Sequence, residues 1–144
     1  MTSRLLLVLY LVLNLQGCAT LSEGNYSKAP DALNKTISTD TVNRLVSLYP
    51  PASTRFHIKQ NVKDHFGLSL VESLRQKGYS IDESSTSAAS TKGTQNVSLN
   101  YVVDEPIKGT LYRITLRVGQ QSLSRAYRIK KGTLTPSGFW VRKE

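Results

Sequence analysis

Hydrophobic residues recur along this chain at two different periods, and the change from one to the other divides it. From Asp40 to Tyr49, the residues Val42, Leu45, Val46 and Tyr49 share one stripe at helical spacing. Thr39 or Asp40 is placed to cap this helix and Pro50-Pro51 to stop it. A second helix is predicted over about Val62 to Lys77, burying Val62, Phe66, Leu70, Val71 and Leu74. Asn61 with Asp64 marks its start, and Gly78 suits the left-handed position that closes helices. Gly67 lies inside it at a propensity cost of about 1 kcal/mol, which points to close packing against that position. Between the two helices, Phe56 and Ile58 alternate with Arg55, His57 and Lys59 over Thr54–Lys59, a short strand with its polar side, His57 included, toward solvent.

Tyr79 and Ile81 begin another strand, which runs into ESSTSAASTKGTQ. That Ser/Thr/Ala stretch has nothing to bury and reads as a mobile loop, about 84–95. Thereafter the period is two. Val97, Leu99, Tyr101 and Val103 alternate with Ser98, Asn100 and Val102, and Tyr112, Ile114, Leu116 and Val118 alternate with Leu111, Arg113, Thr115 and Arg117. Gly119-Gln120-Gln121 turns the chain, Leu123, Tyr127 and Ile129 continue on a returning strand, and Phe139-Trp140-Val141 forms a last short extended piece. The order predicts an α+β domain, two helices packed on one face of a mostly antiparallel sheet, over 38–144.

The first residues follow neither period. Arg4 precedes an apolar run from Leu5 to Leu15, and Leu15-Gln16-Gly17-Cys18 follows. A run of about eleven residues is too short to span hydrocarbon and fits a secretory signal segment over 1–17. Its ending resembles the lipobox of bacterial lipoproteins, in which the cysteine is acylated and becomes the first mature residue. Gln16 departs from the Ala, Ser or Thr commoner there. An intermolecular disulfide through Cys18, the single cysteine of the chain, is the other use its position allows. Ala19 rather than Asp after the cysteine implies, by the same resemblance, sorting to the outer membrane with the domain facing the periplasm. Residues 18–37 show no sustained period and read as the lipidated cysteine and a flexible tether, part of which has the option of lying along the domain.

Removing the signal leaves 127 residues, enough for one domain with a modest core and no disulfide framework. The formal charge of +9 is unevenly placed: 18–106 is neutral, while 107–144 carries nine basic residues and one acid. Strand alternation puts Arg113 and Arg117 on one face, with Arg128 and Lys130 on the matching side of the next strand. Like charges directly across strands repel. This basic face is a candidate partner-binding surface, and a solvated sheet face is the equal alternative.

Catalytic patterns do not appear. His57 and His65, the two histidines, have no carboxylate or thiol at metal-ligand spacing, and nucleophile-elbow, phosphate-loop and dinucleotide motifs are absent. The expectation is a protein that is not an enzyme, uses no cofactor or metal and takes no small-molecule substrate. Aromatic residues fall mostly on predicted core stripes, so neither a sugar nor a nucleic-acid platform is indicated. A structural subunit of an envelope machine is favoured, with a stand-alone periplasmic lipoprotein binding module using the basic face as the alternative.

Several tracts, Leu48-Tyr49-Pro50-Pro51-Ala52-Ser53-Thr54-Arg55-Phe56, Phe66-Gly67-Leu68, Leu74 to Tyr79, Leu111-Tyr112-Arg113 and the ending Gly138 to Glu144, carry a wider likeness. Together they resemble TrbH, the lipoprotein of plasmid conjugal transfer in Trb-type mating-pair formation, a type IV secretion system. The resemblance implies an outer-membrane lipoprotein attached to the envelope-spanning complex, with other Trb envelope subunits as partners. One site is carried over, the acylated cysteine onto Cys18.

Overall fold

The computed structural model describes residues 22–83 and 93–144. Cys18, the apolar leader and most of the loop expected at 84–95 lie outside the described residues. The elements run β1 (Gly24–Asn25), α1 (Asp31–Leu48), a 3-10 turn (Pro51–Ser53), β2 (Thr54–His57), α2 (His65–Gln76), β3 (Ser80–Asp82), β4 (Gln95–Ile107), β5 (Leu111–Val118), β6 (Gln121–Lys130), β7 (Thr133–Pro136) and β8 (Val141–Lys143). One eight-stranded sheet results, ordered β3-β2-β4-β5-β6-β7, with β1 also paired to β4 and β8 to β6. β2 is parallel to β3, as a crossover through α2 requires, and also to β4, and β4 to β8 form the antiparallel part. The α+β architecture read from the sequence is the one observed.

Both helices bury their apolar stripes against one face of the sheet. Leu45 of α1 and Phe66, Leu70 and Leu74 of α2 are fully buried with Phe56, Leu99, Ile114, Leu116 and Leu123. α2 starts at His65, three residues later than predicted, because Asp64 is the cap: its Oδ1 accepts the backbone N–H of Gly67 at 3.0 Å. Val62 stays outside the helix and packs on the core from the loop.

α1 departs most from expectation. It begins at Asp31 rather than near 40, so the described part of the expected tether includes the strand Gly24–Asn25 and the first seven residues of α1. The buried positions Asn34, Ile37, Ser38, Thr41, Val42 and Leu45 keep helical spacing, but half of them are polar. A stripe defined by apolar residues therefore fades upstream of Val42 although the helix continues. Asp40, predicted as a cap, sits mid-helix. Its carboxylate accepts from Arg125 Nη1 at 2.8 Å and from the Tyr127 hydroxyl at 2.6 Å, which ties α1 to β6.

His57 is a second departure. It is 5% exposed rather than solvated, with Nδ1 3.4 Å from Asp82 Oδ2 on the neighbouring strand. On β4, β2 leaves at Ser98 and β1 joins at Val102. Gln60 Oε1 bridges the gap by accepting the Tyr101 N–H at 2.7 Å. β7 and β8 form one edge strand along β6, interrupted at 137–140, where the Ser137 N–H bonds the Ala126 carbonyl. This four-residue bulge leaves Phe139 92% exposed while Trp140 packs against the core.

Candidate functional site

The helices cover one face of the sheet, so the other face is the open surface, and strand register fixes what it displays. Tyr112, Ile114, Leu116 and Val118 of β5 point to the helices, and Leu111, Arg113, Thr115 and Arg117 point away. Across the open face the register aligns Asp104, Arg113 and Ala126 in one row and Val102, Thr115, Ser124 and Val141 in the next. A third row holds Asn100, Arg117, Ser122 and Lys143, and beyond Arg113 come Leu111, Arg128 and Thr135. Arg113, Arg117, Arg128 and Lys130 do share this face, and all four are exposed.

Their expected repulsion does not occur. Arg113 stands opposite Ala126, Arg117 opposite Ser122 and Arg128 opposite Leu111, so no two of the four cations are directly paired. Arg113 instead forks onto Asp104, its Nε donating to Oδ1 at 3.1 Å and its Nη2 to Oδ2. The bond to Asp104 holds its guanidinium pKa still higher than usual. Arg117 has Glu23 at 3.6 Å. Among the described residues, Arg128, Lys130 and Lys143 form no ion pair. Alternation alone could not supply Lys143, because its place on this face depends on the bulge and on pairing with Ser122.

The N-terminal segment completes the surface. Gly24 and Asn25 pair with Val102 and Val103, and the Tyr26 N–H donates to the Val103 carbonyl at 2.7 Å. Tyr26, Lys28, Lys108 and Arg113 rim an open hollow of about 490 Å³ whose floor includes Asp104 and Glu105. The Glu105 carboxylate accepts backbone N–H groups of Gly109 and Lys28, and these bonds hold its pKa below the usual carboxylate range. A smaller hollow of about 120 Å³ lies between Glu23, Asn100, Thr115, Arg117 and Ser122.

The remaining polar clusters hold the fold together. Asp64 caps α2 through Oδ1 and accepts the Tyr101 hydroxyl through Oδ2. Asp40 binds Arg125 and Tyr127, and Arg125 lies over the Trp140 ring at 5.9 Å while its Nε donates to the Gly138 carbonyl. Burial, reinforced by these carboxylates, raises the Tyr101 and Tyr127 pKa well above the ordinary phenol value, so both remain donors. His65 sits exposed, 3.2 Å from Asp31. Among the described residues, no group of three His, Cys, Asp or Glu side chains is placed to hold a metal ion. No described helix is long and apolar enough to cross a membrane. The open face offers guanidinium and ammonium donors with hydroxyls between them, an arrangement suited to recognising anionic groups.

A family model described as conjugal transfer protein TrbH matches residues 20–144. Neither the curated proteins nor the solved structures contain a match.

Proposed function

The chain belongs to the TrbH family of conjugal transfer proteins, and we propose that in this process it is a lipid-anchored assembly subunit of the envelope-spanning apparatus. On this reading Cys18 carries the lipid, the outer membrane is the host bilayer, the domain faces the periplasm, and other transfer subunits of the envelope are its partners. The family match over 20–144 is the observation that carries it, joined to the signal-like run that ends in Leu15-Gln16-Gly17-Cys18.

The work proposed is positional rather than catalytic. Each acyl CH2 buried in the bilayer contributes about 0.8 kcal/mol, so an acylated cysteine with several chains stays attached. Confinement at the membrane raises the effective concentration of the domain around its neighbours, and contacts too weak in solution then hold. The Asp40–Arg125–Tyr127 and Asp64–Tyr101 clusters keep the domain rigid while it is held. Replacing Cys18 with Ser is expected to leave an unprocessed, unlipidated precursor and to lower plasmid transfer. Radioactive palmitate still incorporated into Cys18→Ser protein would overturn the assignment.

A further inference from the structure

We propose that the open face of the sheet docks on an anionic phospholipid surface, so that the bilayer itself is the partner of the basic residues. This rests on the reading of Cys18 as the lipid-bearing residue. It goes further by orienting the domain on the membrane.

Where the chain joins the domain is the first support. Glu23 lies on the open face beside Arg117, and Gly24 pairs with Val102 of the same face. Cys18 stands five residues before Glu23, and five residues reach at most about 17 Å. The six strands of the main sheet path span about 24 Å at their usual spacing. An acylated Cys18 thus holds Glu23, at the edge of the open face, closer to the bilayer than the sheet is wide. A tether that stayed loose through residue 37 would have imposed no such limit.

Charge is the second. Arg113 and Arg117 are matched by Asp104 and Glu23, while Arg128, Lys130 and Lys143 of the same face have no ion-pair partner among the described residues. The positive excess therefore collects on the half of the face built by β6 to β8. Exposed apolar groups flank it: Val141 is 61% exposed in register with Ser124, Phe139 is extruded at the bulge, and Tyr26 is 57% exposed on the opposite margin. Cations with aromatic groups at the margin suit a headgroup layer. The centre of the face, Thr115, Ser122, Ser124 and Ala126, lacks the large apolar anchors of a protein–protein hot spot.

The test uses the processed lipoprotein reconstituted into vesicles. Cys18 is the single natural cysteine, so Val141→Cys supplies a unique thiol for an environment-sensitive fluorophore, and Glu72→Cys on exposed α2 supplies the control. With vesicles containing phosphatidylglycerol, the label at 141 is expected to shift to the blue and to revert at high salt. Vesicles of phosphatidylcholine alone, and the label at 72, are expected to show no shift. Replacing Arg128, Lys130 and Lys143 with Gln is expected to lower the docking constant about a hundredfold, from about fivefold per cation. Reversing the three to Glu gives a larger loss, and the Gln variant serves alone if the reversal unfolds the domain. A label at 141 indifferent to phosphatidylglycerol and salt overturns the proposal, as does a shift that needs added transfer subunits instead of anionic lipid. Flotation of the protein with vesicles at high salt separately reports the lipid anchor, so failure of the anchor and failure of docking are distinguishable.

Discussion

Replacing Gly67 with Ala isolates the tightest contact in the core. In an exposed helix the change would stabilise by about 1 kcal/mol, because Ala has the better helix propensity. Here the new Cβ would lie 1.9 Å from the Tyr101 hydroxyl oxygen, 2.8 Å from Tyr101 Cζ and 2.8 Å from a Val62 methyl. Tyr101 is 1% exposed and its ring packs edge-on against Phe66 at 5.0 Å, so it has little room to retreat. Moving it costs about 1–3 kcal/mol in overpacking. Losing its hydrogen bond to the Asp64 carboxylate costs about 1.5–3 kcal/mol more. Set against the propensity gain, the net expectation is a loss of about 1.5–5 kcal/mol. For a domain of this size that is a fall in melting temperature of about 6–20 °C. Circular dichroism melts of the detergent-solubilised protein, with urea titrations for the free energy, measure it. Combining Gly67→Ala with Tyr101→Phe removes the 1.9 Å contact but keeps the one at Cζ, and should recover part of the loss. A melting temperature for Gly67→Ala equal to or above that of the parent would refute the reasoning, since propensity alone would then have decided the outcome.

Asp40→Ala strips the partly buried Arg125 and the Tyr127 hydroxyl of their shared acceptor and is expected to cost about 2–4 kcal/mol, read from urea midpoints. Asp40→Asn, which keeps one acceptor oxygen, should cost less. Alkaline pH should weaken the fold. Unfolded tyrosine ionises near pH 10, whereas Tyr101 and Tyr127 hold their protons above that in the folded state. Their contribution is therefore whole below about pH 10 and declines as pH rises above it, because the unfolded chain releases protons the folded chain retains. Urea midpoints across that range should fall with pH, and less steeply in Tyr101→Phe. Arg117→Glu places like charge against Glu23 and should speed amide exchange over 22–28, while melting shifts little, as exposed pairs contribute at most about 1 kcal/mol. Unchanged exchange there would show that β1 is held by its backbone bonds alone.

Local periodicity made much of this molecule readable. The stripe Phe66, Leu70, Val71 and Leu74, the alternation of β4, β5 and β6 and the turn at Gly119 each depend on residues a few positions apart, and each is observed. A glycine inside the α2 pattern signalled a close approach, but its partner Tyr101 came from the fold. The first half of α1 escaped because Asn34, Ser38 and Thr41 occupy buried positions on its stripe, and Asn34 finds its partners in the Ala29 carbonyl and Asn25. His57 escaped likewise, since its burial comes from neighbours in the fold and not from its place in the alternation.

The sequence by itself determined the α+β class, the faces of the long strands, the basic C-terminal third and the family resemblance, because side-chain period and composition are properties of contiguous chain. Only the tertiary structure decided which cations of the open face meet a carboxylate. Arg113 meets Asp104 and Arg117 meets Glu23 through strand register, and Lys143 joins the face through a bulge. Register is set by pairing between segments far apart in sequence, and a shift of one residue would send every one of these side chains to the other face. The same pairing brought Glu23 onto the open face, leaving four residues of chain between it and Cys18.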